Sequence, residues 1–406
     1  MNQVNQFILI IGLVILLLGI FSRQIQKSII SEPMIALSIG ILLGPVLPIF
    51  NVEEGGMQKE IVLEQASRFA LAIGLMATAM RIPFTQLRRL AFPLTLMLTL
   101  VMTGMWVVSA AIIYVIFQLP LYLSLLIGAI ITPTDPILAT SIVSGDIAKQ
   151  NIPEQLRALL SAESGFNDGL AYAFVFLPLS LMKFPSGEAF SEWFTKIILW
   201  EVGFALIFAL FTGFIAGKLL NWSEKHREIK EEYLFAYTVA LSIAALTGAK
   251  LLQTDGILAV FIAGITFSYV YRSRQKTEEE VIQEAVNRFF FIPAFLLLGI
   301  FIPWEQWLNL GWQLVLVSTL IIFLRRMPLI YIFKNVLGPL RKRANALFVG
   351  WFGPMGISAL YYAMVSEKHT HNEIIWSLTS FIIVISTIVF GITAIPFTRY
   401  YKNRAH

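Results

Sequence analysis

The sequence lacks cysteine altogether and contains few histidines, which limits the chemistry it can support. Without cysteine, disulfide bonds and thiolate chemistry are both excluded. The histidines are His226, His369, His371 and His406, and each lies in a polar connection or at the C-terminus. Because no two of them share an apolar segment, a buried histidine-based metal site is not expected. No resident cofactor is predicted.

Charged residues are also scarce, which indicates a membrane protein. They make up 14% of the 406 residues, whereas a soluble chain carries about 25%. Hydrophobic residues make up 57%, and the mean hydropathy is +0.75. One soluble core could not bury so much apolar surface, so an all-α polytopic membrane protein is predicted. The basic residues are spread along the connections, so the pI near 9.3 does not indicate a nucleic-acid partner.

Apolar segments long enough to cross a bilayer recur along the whole chain, and about thirteen are predicted. The first begins near Phe7 and has no basic residue before it and no cleavage site, so it is predicted to be a retained helix rather than a signal peptide. The polar stretch Arg272–Asn287 is predicted to be a short loop. The predicted spans are residues 6–22, 33–50, 65–81, 92–117, 121–144, 157–182, 196–220, 232–249, 256–272, 287–302, 309–333, 345–365 and 372–397.

Lysine and arginine are distributed unevenly between alternate connections. Connections after odd-numbered spans carry groups such as Arg81, Arg88 and Arg89. Connections after even-numbered spans hold mostly single lysines, such as Lys59 and Lys368. Because cytoplasmic loops are enriched in lysine and arginine, this bias predicts the N-terminus outside and the C-terminus in the cytoplasm. It also favours an odd number of spans.

Two spans contain helix breakers at their centres. In the fifth, two prolines flank Thr134 and Asp135, and in the twelfth, residues 350–356 combine glycines with a proline. Either break alone is compatible with an ordinary kink. Together they are more informative, because they lie seven spans apart and an odd offset inverts the second copy. Two inverted six-helix repeats joined by one linker span are typical of secondary transporters with a site near the membrane midplane.

Several charged residues fall inside predicted spans, where charge is expensive and usually functional. Asp135 lies in the fifth span, Glu163 and Asp168 in the sixth, and Arg325 and Arg326 in the eleventh. We interpret Glu163 as the partner of one of the two arginines in a structural ion pair. An acid held by a permanent cation stays ionised and exchanges protons poorly. The sequence leaves open which arginine is the partner.

Asp168 is the stronger candidate for an ion-binding carboxylate. It shares a helix face with Ser164, four residues earlier, whereas Glu163 lies on the neighbouring stripe. The break in span five frees backbone carbonyls near Thr132 and Thr134. Carboxylate, hydroxyl and carbonyl oxygens are the ligands that a dehydrated hard cation requires, so a site for a small monovalent cation is predicted here. The alternative is a buried acid that is merely hydrogen-bonded.

The fifth, sixth, eleventh and twelfth spans contain, in this order, the strings TPTDP (132–136), SAESGFNDG (161–169), FLRRMP (323–328) and GWFGPMG (350–356), which together carry a family resemblance. The chain resembles NhaP-type sodium/proton antiporters of the cation:proton antiporter superfamily over essentially its whole length. The Asn-Asp pair preceded by Glu-Ser is fairly specific, whereas the Thr-Asp-Pro break alone is weak.

The resemblance implies an architecture and an assembly. It implies one transmembrane antiporter domain, residues 1–406, that forms a homodimer and works by an elevator-like movement. Within it, the core comprises about 92–182 and 309–397, and the dimerisation part about 6–81 and 232–302, with a linker span at about 196–220.

The resemblance also implies roles for individual residues. Asp168 is the expected ion and proton carrier, with Ser164 as a ligand. Thr134 and Asp135 are expected in the crossed unwound stretch. Asn167 replaces the second aspartate of electrogenic relatives, so exchange of one H⁺ per Na⁺ without net charge transfer is expected. The predicted ion and proton site therefore comprises Asp168, Asn167, Ser164, Thr134, Asp135 and Thr132, with Na⁺ held by Asp168, Ser164 and Thr134.

Two residues depart from the family pattern. Met355 stands where the family usually has an arginine in its glycine-rich twelfth-span motif, which puts any gating or stabilising role of that arginine in doubt. Arg81 ends span three where some members carry an acid. Neither departure touches the predicted carboxylate site.

The predicted function is exchange of Na⁺ or Li⁺ for H⁺ across the cytoplasmic membrane. Burial favours the protonated carboxyl group and a bound cation favours the carboxylate, so the two ions compete for Asp168. A carboxylate loaded with either ion is nearly neutral and can cross the membrane barrier, whereas an empty one cannot. The alternatives are a K⁺/H⁺ antiporter of the same fold, an ion channel, and an intramembrane aspartyl enzyme built on Asp135 and Asp168.

Overall fold

The computed structural model is helical throughout the part of the chain that it describes, and no strand occurs there. The predicted ends of spans two and nine, at 48–50 and 272, lie outside the described residues. The described residues are 2–47, 59–226, 228, 231–271 and 276–405.

The α-helices follow one another closely in sequence. In chain order they are α1 (Asn2–Ile20), α2 (Ser22–Lys27), α3 (Glu32–Ile41), α4 (Lys59–Arg81), α5 (Phe84–Arg89), α6 (Ala91–Leu96), α7 (Met102–Phe117), α8 (Leu121–Ile130), α9 (Thr140–Val143), α10 (Gly145–Asn151), α11 (Glu154–Lys183), α12 (Ser186–Glu192), α13 (Ala205–Lys225), α14 (Glu231–Leu251), α15 (Gly256–Val270), α16 (Lys276–Ile300), α17 (Trp304–Leu310), α18 (Trp312–Leu324), α19 (Met327–Phe333), α20 (Arg343–Trp351), α21 (Ile357–Thr370) and α22 (Ile374–Ala405).

Wider π-helical turns extend or join several of these helices. Leu42–Val46 extends α3, Met97–Val101 joins α6 to α7, and Trp193–Phe204 joins α12 to α13. A short 3₁₀ turn, Gly338–Leu340, precedes α20. Because the π segments continue the helix axis, each joined set crosses the membrane as one segment.

The helices form the predicted set of membrane crossings. Seven described segments are long and apolar enough to span a bilayer, and five shorter apolar helices accompany them. The interrupted pair α20–α21 completes thirteen crossings, which confirms the predicted all-α polytopic fold. The long segments are Lys59–Arg81, Ala91–Phe117, Glu154–Lys183, Ser186–Lys225, Gln283–Ile300, Trp312–Phe333 and Ile374–Lys402.

The exterior of the bundle is apolar, as a lipid environment requires. Large hydrophobic side chains such as Ile20, Phe211 and Leu251 are more than half exposed, whereas Asp135 and Asp168 are fully buried. This arrangement is the reverse of the one in a soluble protein. It supports the assignment as a multi-pass membrane protein.

The breaks in spans five and twelve meet each other. Helix α8 ends at Ile130 and α9 begins only at Thr140, while α20 ends at Trp351 and α21 begins at Ile357. Proline interrupts both spans because it has no N–H to donate. The backbone N–H of Asp135 in one break donates to the carbonyl of Pro354 in the other, at 2.8 Å. The two broken helices therefore cross, as predicted.

Span eleven contains a further interruption that the sequence analysis did not identify. Helix α18 ends at Leu324 and α19 begins at Met327, so Arg325 and Arg326 lie between two helices rather than inside one. Pro328 explains the break, since it cannot donate to the carbonyl of Leu324. The interruption frees both arginines to point into the interior.

The prediction that Arg272–Asn287 is a short loop was wrong for the described residues. Helix α16 begins at Lys276 and runs without interruption to Ile300. Its first half is polar but rich in Glu and Gln, which are good helix formers. A hydropathy pattern detects only the apolar half of such a helix.

Helix α11, which carries the predicted carboxylate, packs against α8, α21, α15 and α4. Its contact with α15 is very close because glycine faces that helix. A Cβ atom at Gly165 would lie 2.1 Å from the ring of Phe261, and one at Gly169 would lie 2.8 Å from Leu258. A larger residue at Gly165 would displace the Phe261 ring, and one at Gly169 would push against the backbone of α15 at Leu258.

Candidate functional site

Asp135 satisfies the free amide groups at the helix crossing. Its Oδ1 accepts hydrogen bonds from the N–H groups of Ile137, at 2.7 Å, and Leu138, at 3.3 Å. Its Oδ2 accepts from the N–H of Ile357, the first residue of α21. A carboxylate among these donors balances the positive ends of the half-helices. Gly356 is required beside it, because a Cβ there would lie 2.1 Å from Asp135 Oδ2.

Arg325 satisfies the free carbonyl groups of the same crossing. Its guanidinium donates to the carbonyl of Ile131, to that of Thr132 at 3.3 Å, and to that of Gly353 at 2.6 Å. The side chain is 1% exposed. Arg325 and Asp135 therefore balance opposite ends of the broken helices, one cation on carbonyls and one anion on amides.

Thr134, Ser164 and Asn167 form a closed hydrogen-bond network beside the crossing. The side-chain oxygen of Asn167 accepts from Thr134 N at 3.1 Å, and its amide donates to Thr134 Oγ1 at 2.8 Å. Thr134 Oγ1 and Ser164 Oγ are 3.0 Å apart. All three residues are buried. The network joins α11 to the break in span five.

Asp168 differs from every other acid in the interior, because neither oxygen of its carboxylate has a partner at hydrogen-bond geometry among the described residues, although the Ser358 hydroxyl lies close to it. It is 0% exposed, and both Oδ1 and Oδ2 lack a partner there. Its polar neighbours are Ser358 and Asp135. The hydroxyl of Ser358 likewise makes no hydrogen bond within the described structure. Free oxygens from α11 and α21 thus lie together in a buried position.

The backbone around Asp168 is nevertheless held firmly. The hydroxyl of Tyr362, on α21, donates to the carbonyl of Asp168 at 2.6 Å. Both residues are fully buried. The carboxylate is therefore free of partners while its position is fixed, which suits a group that binds and releases an ion.

Glu163 pairs with Arg326 rather than with Arg325. Both Glu163 oxygens accept from the Arg326 guanidinium, the second at 2.7 Å, in a bidentate arrangement. Each side chain is 3% exposed. Arg326 Nε also donates to the carbonyl of Val349 on α20, at 3.0 Å. The pair thus connects α11 with the second broken helix.

The predicted site residues therefore separate into two groups. Ser164, Asn167 and Thr134 are joined in one network at the crossing, and Asp168 lies one turn after Ser164 on α11, with Asp135 and Ser358 as its polar neighbours. The polar groups of Asp135 and Thr132 have other partners: the Asp135 carboxylate binds amides, and the Thr132 hydroxyl donates to Gly128 O at 2.7 Å. Direct contact of any of the six predicted site residues with an ion stays a prediction.

Two buried polar residues were missed by the sequence analysis: Ser358, beside Asp168, and Glu201, which accepts a hydrogen bond from Tyr172 on α11. Ser358 follows the glycine-rich motif of span twelve by two residues, and only the fold brings it to Asp168. Glu201 interrupts a long apolar run in the linker span and is 8% exposed. Its signal was available in the sequence, since an acid inside an apolar span is itself a candidate functional residue.

The sequence model of the family "Sodium/hydrogen exchanger, transmembrane" matches residues 12–400. The chain belongs to the sodium/hydrogen exchanger family. Antiporter 2 of Zygosaccharomyces rouxii, a Na⁺/H⁺ antiporter, is 33% identical over 90% of this chain and 49% of its own length. The Na⁺/H⁺ antiporter of Schizosaccharomyces pombe is 29% identical over 96% of this chain and 89% of its own. The K⁺/H⁺ antiporter NhaP2 of Shewanella oneidensis is 23% identical over 96% and 66%.

A solved structure has the same fold. The sodium proton antiporter MjNhaP1 from Methanocaldococcus jannaschii, at pH 8, superposes with a TM-score of 0.72. It is 20% identical and the match covers 99% of this chain and 97% of that one. This supports an NhaP-type architecture for this sodium/hydrogen exchanger. The chain spans about half the length of several fungal relatives.

Membership of the exchanger family favours a transporter over the intramembrane enzyme.

Met355 marks where this exchanger departs from the pattern noted in the sequence. Its side chain is fully buried, and its backbone N–H donates to Ser386 Oγ at 2.7 Å. Arg81 donates to Thr78 Oγ1 at 3.1 Å and lies 3.4 Å from Glu284.

Proposed function

We propose that this protein exchanges Na⁺ or Li⁺ for H⁺ at Asp168. The observation that carries the proposal is the Asp168 carboxylate, which is fully buried and unpartnered within the described structure. A buried carboxylate without donors is costly unless it is protonated or binds a cation. Proton and cation therefore compete for the same oxygens, and each displaces the other.

The surrounding oxygens suit a small hard cation. Na⁺ binds between the carboxylate of Asp168, the hydroxyls of Ser164 and Thr134, and the free hydroxyl of Ser358. Hydroxyl oxygens retain a lone pair when they donate a hydrogen bond, so the Thr134–Ser164 contact does not exclude them. Asp135 and Thr132 support the ion site without binding the ion, since their polar groups hold the crossing together.

The exchange is electroneutral in this proposal. Asn167 cannot ionise, and its amide is engaged by Thr134 on both sides. Glu163 is neutralised by Arg326. One ionisable carrier remains, so one H⁺ moves for each Na⁺.

Movement of Asp168 between the two membrane faces follows an elevator-like mechanism in this proposal. The core, about 92–182 and 309–397, slides against the dimerisation part, about 6–81 and 232–302, with 196–220 as linker. Gly165 and Gly169 on α11 lack side chains that would interlock with α15, which favours such sliding. The protein acts as a homodimer in the cytoplasmic membrane, with its N-terminus outside and its C-terminus in the cytoplasm.

K⁺/H⁺ exchange at the same site is the second candidate. It is favoured by one observation, the similarity to the K⁺/H⁺ antiporter of Shewanella oneidensis. Carboxylate and hydroxyl oxygens bind both cations, and the size of the loaded cavity decides between them. Adding Na⁺, Li⁺ and K⁺ in turn to everted vesicles with a ΔpH probe separates the candidates.

Asp168→Asn tests the carrier assignment. Because the carboxylate makes no hydrogen bond within the described residues, the amide should fit without loss of folding. We expect ΔpH-driven Na⁺ exchange in proteoliposomes to disappear. The control is Glu192→Gln, which removes an exposed acid paired with Lys196 and should leave exchange unchanged. Undiminished Na⁺ flux in Asp168→Asn would reject the proposal.

Electroneutrality is tested on the unmodified protein. A membrane potential imposed with K⁺ and valinomycin should not shift the equilibrium between the Na⁺ and H⁺ gradients. A clear dependence on voltage would show a stoichiometry other than one to one.

A further inference from the structure

Tyr172 lies on the same face of α11 as Asp168. The two residues are four apart, which places them one helical turn from each other. Tyr172 is 6% exposed, and its hydroxyl donates a hydrogen bond to Glu201. Any movement of α11 that carries Asp168 along the neighbouring helices therefore changes the Tyr172–Glu201 contact as well.

Glu201 is tied in turn to the helix on which α11 packs. It lies in the π-helical segment before α13, and its backbone carbonyl accepts from Asp255 N at 3.0 Å. Asp255 caps α15, since its carboxylate accepts from Ile257 N at 2.9 Å and Leu258 N at 3.3 Å. Leu258 is the residue that Gly169 contacts. Glu201 thus connects Tyr172 to the start of α15.

Other charged side chains lie close to the Tyr172–Glu201 contact. Lys250 Nζ lies 5.3 Å from the centre of the Tyr172 ring and supplies a positive charge nearby. An apolar residue at position 201 would avoid the cost of burying an acid inside the membrane. A buried polar contact within an apolar interface fixes the register of the elements that it joins. Here it joins the helix of the carrier to the α13–α15 pair.

We propose that Tyr172 and Glu201 are positioning residues for ion exchange. Their hydrogen bond fixes the height of Asp168 against α15 in the conformation seen here, and it breaks when α11 moves to the other conformation. The inference rests on the proposed function, because it needs Asp168 to face the two sides of the membrane alternately. It assigns to the linker span a role in setting the balance between these two conformations.

The test uses Tyr172→Phe and Glu201→Met, each of which removes the hydrogen bond and keeps the volume. Loss of one such bond should shift the ratio of the two conformations about three- to tenfold. The Na⁺ concentration that gives half-maximal exchange should then rise on one side of the membrane and fall on the other. Exchange in right-side-out and inside-out vesicles measures both sides.

A purely structural defect gives a different result. It lowers the maximal rate in both vesicle orientations and leaves both half-saturating concentrations unchanged, which would overturn the proposal. Tyr237→Phe is the matched control, since its hydroxyl donates to Ala216 O at 2.9 Å between α14 and α13, away from α11. It should shift neither value.

Glu201→Gln separates a hydrogen-bond role from a charge role. Its amide oxygen still accepts from Tyr172, so the opposite shifts seen in Glu201→Met should largely be reversed. If Glu201→Gln is as impaired as Glu201→Met, Glu201 acts through its charge and the proposal is wrong. The Tyr172→Phe/Glu201→Met double variant should be no worse than either single variant.

Asp168→Asn in the same vesicles keeps the two proposals distinct. Exchange that persists in Asp168→Asn rejects the carrier assignment. If exchange is lost in Asp168→Asn but the Na⁺ concentration for half-maximal exchange is unchanged in Tyr172→Phe, only the positioning contact is rejected.

Discussion

The buried ion pair of Glu163 and Arg326 gives a prediction whose size can be worked from the structure. Glu163→Gln keeps the shape of the side chain but removes its charge. The guanidinium of Arg326 then remains buried without an anion, and both residues are only 3% exposed, so water cannot compensate. Breaking one partner of such a pair costs about 3–5 kcal/mol.

The expected change in melting temperature follows from the size of the chain. An unfolding entropy of about 2.1 cal/mol/K per residue gives about 0.9 kcal/mol/K for 406 residues. A loss of about 4 kcal/mol therefore lowers the melting temperature by about 4–5 °C. Thermal unfolding of the purified protein in detergent, followed by size exclusion after heating, measures this shift.

The double variant Glu163→Gln/Arg326→Met checks the cause. It removes the stranded cation and leaves the Val349 carbonyl as the main lost partner, which costs about 1–3 kcal/mol. It should therefore melt above Glu163→Gln alone. The control Glu192→Gln breaks an exposed pair and should shift melting by less than about 1 °C. If Glu163→Gln melts like the unmodified protein, or the two changes add, the pair is not what holds α11 to the crossing.

Two further predictions concern the crossing and the carrier. Gly356→Ala should disrupt the crossing and sharply reduce the yield of folded protein, because its Cβ would lie 2.1 Å from Asp135 Oδ2. The control Gly187→Ala should not reduce the yield, because a Cβ there meets open space. Fluorescence-detected size exclusion compares the yields of the two variants. Ser358→Ala should raise half-saturating Na⁺ severalfold while the protein stays folded, since its free hydroxyl lies beside Asp168; unchanged Na⁺ dependence of exchange would remove Ser358 from the ion site.

Much of the fold was predictable because it depends on patterns that are local in sequence. Spanning segments are set by apolar length, and the breaks in spans five and twelve are set by proline. The interruption at Arg325 and Arg326 was missed because Pro328 follows a long apolar run without a second breaker. The polar half of α16 was missed because hydropathy does not measure helix propensity.

The candidate site was predictable only in part. The spacing of Ser164 and Asp168 on one helix face is a local property, so their grouping was available from the sequence. The partner of Glu163 was not, because Arg325 and Arg326 are adjacent and their directions depend on the break between α18 and α19. Ser358 was missed because it reaches Asp168 only through the crossing of two distant helices.

The sequence by itself determined the membrane class, the number of crossings, the two broken helices and the acidic residues that the interior must accommodate. Each of these depends on residue type and short spacing. The tertiary structure alone decided which acids have partners: Asp135 binds amides, Glu163 binds Arg326, and Glu201 accepts from Tyr172, whereas Asp168 has no donor among the described residues. Whether a buried charge is satisfied depends on neighbours from other helices, and packing alone supplies them.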